Sequence, residues 1–315
     1  MTIKLRSWSQ KEKNRWLFWA ILFFLTIAEL LTTVGNPQIG LVCHGLLLFG
    51  LILYGALAQP GPERNLALAL TLLPLIRLIS LSLPLTRFPQ LFWYPFVAIP
   101  LFAALLVTKN FLQISRKELG LFSDDLVLQL MIGVCGIGLG AIEYVILTPD
   151  SLIPSPALGM FIAAALILVV FTGFIEELIF RGLLQTLAPV VMGRWALYYV
   201  SMLFAIMHIG YSSAPDLIFV FLVGLLFAFI VSWRGSILGV TLAHGLANVT
   251  LFLIMPYLDH ATSQASRLAT YAIWILPLLM IIAICIKERK DFVAKAYQPL
   301  LSLVNYAFAQ INKST

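Results

Sequence analysis

Two carboxylates and a guanidinium stand together inside an otherwise uncharged part of the chain, in the stretch FIEELIFRGLL. Glu176 and Glu177 follow 25 residues, 151–175, that carry no charge, and Arg181 comes four residues after Glu177. Each charge at the centre of a membrane-spanning helix costs roughly 2.5–3.5 kcal/mol. Because carboxylates can accept protons and activate water, charges that are this costly to bury indicate a functional site.

The spacing within this stretch predicts two different roles for its carboxylates. Residues four apart face each other along a helix, and Glu before Arg is the favourable order, so Glu177 and Arg181 are predicted to form an orienting ion pair. Glu176 points about 100° away and has no partner on its own helix, which leaves it free to act as a general base or acid. The alternative is a structural ion pair beside a spare, protonated Glu.

A histidine is expected at the same depth as Glu176. The turn between the two helices is centred near Met192, with Glu176 sixteen residues before it and His208 sixteen residues after it. In an antiparallel pair of helices that rise about 1.5 Å per residue, both residues reach one level and can share a water molecule. Taken alone, His208 also suits ordinary packing, one turn after Phe204 on an apolar helix.

The stretch SILGVTLAHGLANVTLF supplies a second polar pair, His244 and Asn248, which are four apart and share one helix face. Gly239, Gly245 and Ala247 make this helix slim enough for close packing. Two hydrogen-bond donors on one face suit the stabilisation of a developing oxyanion. A polar clasp between helices is the structural alternative, since a buried Asn needs a hydrogen-bond partner.

Four further polar residues stand singly in the apolar first half of the chain. Each is interpreted as a packing contact, a neighbour of lipid headgroups or a support for the site. They are Glu29, His44, Arg77 and Glu143. The sequence contains no HExxH motif, which excludes a standard zinc-protease helix.

The whole chain has the composition of an integral membrane protein. Of its 315 residues, 61% are hydrophobic and only 11% are charged, whereas a soluble domain has about 25% charged residues. Most apolar segments are long enough to cross about 30 Å as helices, and the period-2 alternation of a β-barrel is missing. The sequence therefore predicts an all-α, polytopic transmembrane bundle of about ten spans. They are expected near 16–34, 39–58, 66–84, 91–108, 127–147, 158–187, 195–210, 216–232, 236–255 and 269–286.

Lysine and arginine are distributed unevenly between the two ends of these spans. Sixteen lie on the side of both termini, two (Arg87 and Arg267) lie on the other side, and Arg77 and Arg181 lie within spans. The positive-inside rule places the richer side, and with it both termini, in the cytoplasm. The net charge of +6 is thus explained by loop placement, and no nucleic-acid partner is predicted.

Three motifs stand in order along the chain: EExxxR from 176, FxxxH from 204 and HxxxN from 244. Together they resemble the CPBP family of intramembrane proteases. This family includes CAAX prenyl endopeptidases of the Rce1 type and bacterial proteins linked to bacteriocin processing and self-immunity. The resemblance covers roughly 158–256, and WRGSILGVTLAHGLAN also resembles the family's third motif in its small and apolar residues.

The resemblance implies an intramembrane endopeptidase in which Glu176 and His208 activate the hydrolytic water and His244 and Asn248 stabilise the oxyanion. Classification places the family among metalloproteases, while its motifs also support a glutamate-dependent mechanism without metal. The cofactor stays open between one zinc ion, held by Glu176, His208 and His244, and none. The metal-free alternative is slightly favoured, because no carboxylate obviously orients either histidine.

Three regions are predicted: an N-terminal extension of four helices (1–112), a protease-like core (113–290) and a cytoplasmic tail that can form an interfacial helix (291–315). The expected partners are the lipid bilayer and a peptide or membrane-protein substrate, lipidated or not, cut near the membrane surface by CAAX-type or bacteriocin-type processing. The expected location is the bacterial plasma membrane. Two rival functions stay open: a non-catalytic immunity or peptide-binding protein, and a transporter or proton relay.

Overall fold

Helices account for the regular secondary structure in the part of the chain that the structure describes. The computed structural model describes residues 10–122 and 125–261, and within 275–283 all but 277 and 280. No strand occurs among these residues, which confirms the predicted all-α class. Most of the predicted span 269–286 and the whole predicted tail 291–315 lie outside the described residues.

The described helices follow one another through short connections, several of which contain a 3₁₀ turn. The α-helices are α1 (Gln10–Thr33), α2 (Pro37–Leu57), α3 (Pro62–Leu70), α4 (Leu72–Ser82), α5 (Trp93–Phe111), α6 (Leu126–Leu147), α7 (Leu158–Leu168), α8 (Ile175–Glu177), α9 (Gln185–Met192), α10 (Ala196–Ile206), α11 (Ala214–Arg234), α12 (Leu238–Val249) and α13 (Met255–Ala261). Three π-helical segments continue these helices: Val169–Phe174, Leu178–Leu184 and Thr250–Ile254.

Within the described residues, eight helical stretches are long and apolar enough to cross a membrane. Seven correspond to single predicted spans, and the eighth, Leu158–Tyr211 with 54 residues, covers the predicted spans 158–187 and 195–210. This stretch turns back on itself at the 3₁₀ turn Gly193–Trp195, where Gly193 has a φ of 58° that favours glycine. The chain is therefore a multi-pass integral membrane protein, and its orientation remains a prediction.

Short polar residues begin several of the helices. The Asn36 side chain accepts a hydrogen bond of 2.9 Å from the Gln38 amide at the start of α2. The Asp125 carboxylate accepts one of 3.0 Å from the Leu128 amide at the start of α6. Such caps satisfy backbone donors that have no partner within the helix, so they explain why the chain changes direction at these points.

The helix that carries His244 packs backbone to backbone against α6. A Cβ atom added to Gly136 of α6 would lie only 2.6 Å from the carbonyl carbon of Ala243, and one added to Gly140 would lie 2.9 Å from that of Ala247. Any side chain larger than a hydrogen atom would therefore push α12 away. Small residues on both helices fix the position of α12, and with it the third motif.

The N-terminal extension packs directly against the region of the motifs. Helix α1 contacts α9, α10 and the turn Ile209–Tyr211, α3 contacts α9, and α5 contacts the π-helical segment Val169–Phe174. One hydrophobic core joins Phe18 and Leu70 of the extension to Leu183 and Tyr199. The extension is thus in a position to shape the site.

Candidate active site

The three motifs converge on one cavity inside the helical bundle. Glu176, His208, His244 and Asn248 all line it, and its volume is about 60 Å³. One water molecule needs about 10–15 Å³ of such space. The cavity therefore has room for several water molecules beside the four side chains that the sequence analysis selected.

The Glu176 carboxylate lies between the two histidines. Its Oε2 atom is 3.9 Å from Nε2 of His208 and 3.9 Å from Nε2 of His244. These separations exceed a direct hydrogen bond and suit a bridging water. The Glu176 side chain is 28% exposed, and the His208 side chain is 17% exposed, so the pair is open to the cavity.

The ring of His208 is held by the helix that precedes it. Its Nδ1 atom lies 2.8 Å from the carbonyl oxygen of Phe204, four residues earlier, and the two rings pack with their centroids 4.7 Å apart. A carbonyl oxygen only accepts hydrogen bonds, so Nδ1 carries the proton and donates it. In the neutral ring, the Nε2 atom then presents its lone pair toward Glu176.

The ring of His244 is held by the buried ion pair. Its Nδ1 atom donates to Oε1 of Glu177 over 2.9 Å, and the same oxygen accepts a hydrogen bond of 2.9 Å from Arg181. The guanidinium also donates to the Gly224 carbonyl over 3.1 Å and lies 4.2 Å from the centroid of the Phe204 ring. The expectation that no carboxylate orients either histidine is therefore wrong for His244: Glu177 on another helix does so, which spacing along the chain could not show.

Asn248 faces the cavity from α12, one turn beyond His244. Its side-chain nitrogen donates a hydrogen bond of 2.8 Å to the Thr172 hydroxyl, which in turn donates to the carbonyl oxygen of Leu168. One of the two N–H groups of the amide is used in this way. The second is left for a group inside the cavity, which suits a donor to an oxyanion.

π-Helical segments lie on both sides of the two glutamates of the first motif. Glu176 and Glu177 occupy the short helix α8, with Val169–Phe174 before it and Leu178–Leu184 after it. Such segments are rare and are frequent at functional sites, because the wider turn changes which side chains share a face. The hydrophobic pattern of the sequence carries no signal for them.

Besides Thr172, three further polar residues line the cavity that were not among the predicted site residues. They are Tyr94 from α5, Glu143 from α6 and Tyr211 from the turn after α10. Glu143 was singled out in the sequence as a lone charge inside an apolar helix, with a support for the site as one of its three interpretations. Tyr94 belongs to the N-terminal extension, and nothing in its surroundings distinguishes it from other aromatic residues near a helix end.

The isolated polar residues of the first half are not all isolated in the fold. Nε of Arg77 lies 2.7 Å and 2.8 Å from the two carboxylate oxygens of Glu29, and His44 approaches the same carboxylate at 3.6 Å. A terminal nitrogen of Arg77 also donates to the carbonyl oxygen of Met207, the residue before His208. These three residues, which stand singly along the sequence, therefore form one cluster that reaches the site, and among their three interpretations this contact favours a support for the site.

The zinc set predicted as one option consists of Glu176, His208 and His244. Within the described residues, no group of three or more His, Cys, Asp or Glu has an arrangement that could hold a metal ion. The separations of 3.9 Å between Glu176 and both rings exceed the roughly 3.4 Å between ligand atoms of a tetrahedral zinc ion with bonds near 2.1 Å. The donor types do fit zinc, and both rings have their Nδ1 atoms anchored, as in known sites.

Comparison with known proteins covers the same region. Residues 158–250 match the family described as Type II CAAX prenyl endopeptidase Rce1-like. This part of the chain is an Rce1-like domain. All three motifs lie within it, so the match confirms the family resemblance predicted from them. No curated protein and no solved structure was found to match the chain.

The match to the Rce1-like family indicates the general activity. Together with the eight described stretches that are able to cross a membrane, it supports an intramembrane endopeptidase and implies a peptide or protein substrate. The four predicted site residues lie in this domain, whereas Tyr94 and Glu143 lie outside the matched range and add to the wall of its cavity.

Proposed function

We propose that the chain hydrolyses a peptide bond inside the membrane, with Glu176 as the general base and His208 as its partner in activating water. The observation that supports this proposal is the position of the Glu176 carboxylate, 3.9 Å from Nε2 of both His208 and His244. A water molecule between Glu176 and His208 can donate one hydrogen bond to each of them, which leaves its oxygen lone pair for attack.

In the proposed reaction, Glu176 takes a proton from this water as its oxygen attacks the carbonyl carbon of the peptide bond. The negative charge that develops on the carbonyl oxygen is stabilised by Asn248 and His244. Glu176 then passes the proton to the leaving nitrogen, so that one residue serves first as base and then as acid.

The interaction between His244 and Glu177 supports the role of His244 as a donor. Nδ1 already donates to Glu177, so Nε2 can donate to an oxyanion only when the ring carries both protons. A carboxylate at Nδ1 stabilises that positively charged form. Glu177 therefore acts as a positioning residue for His244, in addition to pairing with Arg181.

Zinc is the second way in which the same residues could act. Glu176, His208 and His244 would hold the ion, and a bound zinc ion would supply a water whose pKa is lowered to about 7. The anchors at Phe204 and Glu177 would orient the two rings in either case.

The apolar residues in the lining of the cavity favour an apolar substrate. Phe219, Val223 and Phe227 of α11 and Phe252 beyond α12 line it together with the polar groups. This surface fits a peptide with apolar side chains or an attached lipid chain beside the bond that is cut. Both predicted substrate types, a CAAX-type terminus and a processed peptide such as a bacteriocin, have this character.

The proposal is tested by comparing peptide termini in membranes from cells that express the wild type, Glu176→Gln or, as a matched control, Glu63→Gln in α3, which does not line the cavity. Termini produced by the enzyme should vanish with Glu176→Gln and persist with Glu63→Gln. Turnover should fall by roughly 10²–10⁴, the usual contribution of a general base. Identical sets of termini in all three would contradict hydrolysis and favour a peptide-binding protein or a transporter.

A further inference from the structure

Apart from Arg87, the basic residues of the described loops gather at one end of the bundle. The Arg15 guanidinium lies 3.8 Å from where a side chain of Gly193 would begin, which joins the start of α1 to the turn before α10. The Arg234 guanidinium lies 3.8 Å from the Asp125 carboxylate at the start of α6. Thr186 of α9 donates a hydrogen bond of 2.9 Å to the carbonyl oxygen of Glu118, which joins these two groups. We call this the basic end. The basic residues near it are Arg15, Arg64, Lys109, Arg116, Lys117, Arg194 and Arg234.

The part of the cavity wall that Glu143 and Tyr94 form lies far from the basic end. Glu143 is 17 residues along α6 from that end, and Tyr94 is 17 residues along α5 from it. Each distance is about 26 Å at 1.5 Å per residue. The hydrocarbon core of a bilayer is about 30 Å thick, so both residues lie close to the opposite face.

The two sides of the cavity also differ in how tightly they are closed. Toward the basic end, Arg181 packs over the ring of Phe204 and lies 5.7 Å from the centroid of Phe227, and all three are almost completely buried. Toward the other end, Tyr211 is 44% exposed and the Glu176 side chain is 28% exposed. Among the described residues, the more exposed part of the cavity wall therefore lies toward the end that is poor in basic residues.

We propose that the site takes its substrate from the side of the membrane opposite the basic end. The positive-inside rule places the basic end in the cytoplasm, so the substrates are peptide segments that have already been exported or are crossing the membrane. Carboxyl termini of cytosolic proteins would approach the closed side. That the bound peptide is cut rests on the proposed hydrolysis, whereas the direction in which the cavity opens does not depend on it.

The direction is tested by labelling single cysteines in a variant whose three native cysteines are replaced by Ala. Asp150→Cys lies on an exposed loop at the open end, Tyr211→Cys lies beside the cavity, and Lys117→Cys lies on an exposed loop at the basic end. A membrane-impermeant maleimide should label the first two in intact cells, and the third only after permeabilisation. The reverse pattern would overturn the proposal.

The comparison of peptide termini separates this proposal from the hydrolytic one. Termini that vanish with Glu176→Gln should map to exported proteins or to the exported segments of membrane proteins. If they map to the carboxyl ends of cytosolic proteins, hydrolysis stands and the proposed side of access is wrong. If none vanish while the labelling agrees, the site opens as proposed and the hydrolytic function is wrong.

An independent contact indicates what the N-terminal extension does. Arg77 of α4 donates a hydrogen bond to the carbonyl oxygen of Met207, immediately after α10 and immediately before His208. Carbonyl groups at the end of a helix have no partner within it, and a positive charge there is favourable. Arg77 therefore fixes the end of the helix that presents the His208 ring.

The guanidinium is itself held in place by the extension. Both oxygens of Glu29 on α1 accept from its Nε atom at 2.7 Å and 2.8 Å, and His44 of α2 lies 3.6 Å from the same carboxylate. Glu29 and His44 are fully buried. We infer that Arg77 is a positioning residue for His208, and that α1, α2 and α4 help to set the catalytic geometry.

Histidine NMR tests this inference, because the chain contains only four histidines. In protein labelled with ¹³C and ¹⁵N on histidine, Arg77→Gln should shift the ring signals of His208 and His44 and leave those of His244 unchanged. The turnover number should fall about 10–100-fold with little change in KM, since a displacement near 1 Å can cost that much. Arg77→Lys retains the charge and a donor, so it should fold and recover much of the activity.

The matched control is Arg64→Gln, which removes a guanidinium from the same extension. Arg64 donates to the Gly55 carbonyl over 2.7 Å and does not contact the cavity. Arg64→Gln should leave the His208 signals and the turnover number unchanged. Unchanged His208 signals in Arg77→Gln, or equal shifts in His208 and His244, would overturn the positioning role.

Discussion

Replacing Gly136 of α6 by Ala should lower both the rate of catalysis and the stability of the fold. The added Cβ would lie 2.6 Å from the carbonyl carbon of Ala243, whereas carbon atoms pack at about 3.5–4.0 Å. The two helices must therefore separate by about 1 Å, the difference between these distances. The obstacle is backbone, so no side chain can rotate away to relieve it. Because α12 carries His244 and Asn248, the oxyanion donors move with it.

The expected magnitudes follow from this displacement. Overpacking of this kind costs about 1–3 kcal/mol of stability, and a shift near 1 Å at a catalytic group can lower the rate by about 10². Thermal unfolding in detergent gives the first quantity. Cleavage of a substrate identified from the vanishing termini gives the second. The loss of rate should remain after correction for the fraction of unfolded protein.

Gly50→Ala in α2 is the matched control, since nothing lies within 4 Å of a Cβ at that position. Alanine is favoured over glycine in a helix by about 1 kcal/mol, so this variant should be as stable as the wild type or slightly more stable, with unchanged cleavage. If Gly136→Ala behaves in the same way, the contact between α6 and α12 does not position the third motif, and the reasoning is refuted.

Three other substitutions test the site directly. Arg181→Ala leaves the Glu177 carboxylate buried without its cation and should lower the free energy of unfolding by about 3–5 kcal/mol. Thermal melting measures this loss, and a melting temperature equal to that of the wild type would show that the pair is not structural. His208→Ala should lower turnover by roughly 10²–10⁴, and adding Glu176→Gln should lower it little further because the two act as a unit; additive losses would separate their roles. Asn248→Ala should lower the turnover number by about 10²–10³ at nearly constant KM, and a change in KM alone would assign this residue to substrate binding.

Hydropathy was sufficient to predict most of the fold. Each membrane span must bury its backbone polar groups in helical hydrogen bonds, so the length of an apolar run nearly determines its structure. The predicted spans from 16–34 to 236–255 accordingly match the described helices. The π-helical segments were not predictable in this way, because they depend on how the finished helices pack.

The site could be predicted where its geometry depends on residues of one helix or on the equal depth of two residues in the membrane. Four-residue spacing gave the Glu177–Arg181 contact, and counting sixteen residues on either side of Met192 brought Glu176 and His208 to one level, where they lie 3.9 Å apart. The hydrogen bond between Glu177 and His244 joins residues 67 apart on separate helices. It depends on how the helices rotate and pack, which spacing does not specify.

The cluster of Glu29, His44 and Arg77 shows the same limit. Each residue is a single polar group on its own helix, and only the packing of α1, α2 and α4 brings them together. A general rule was available from physical chemistry: a buried charge is paired. Applied to the first half of the chain, it would have identified Glu29 and Arg77 as partners, since they are the two charges of opposite sign within the first four predicted spans.

The π-helical segment before Glu176 affects how pseudoenzymes among the relatives of this chain can be recognised. A π turn closes its hydrogen bonds over five residues, one more than an α turn, so deletion of one residue from Val169–Phe174 would allow an ordinary α-helix. Each residue corresponds to about 100° of rotation. The change from π to α hydrogen bonding would absorb the deleted residue, so Glu176 would keep its orientation relative to the buried face of α7, with Ala164 and Leu168. A one-residue gap at this segment in an alignment is therefore compatible with an active relative, whereas the same deletion in a segment that is already α-helical would turn Glu176 by about 100° out of the cavity.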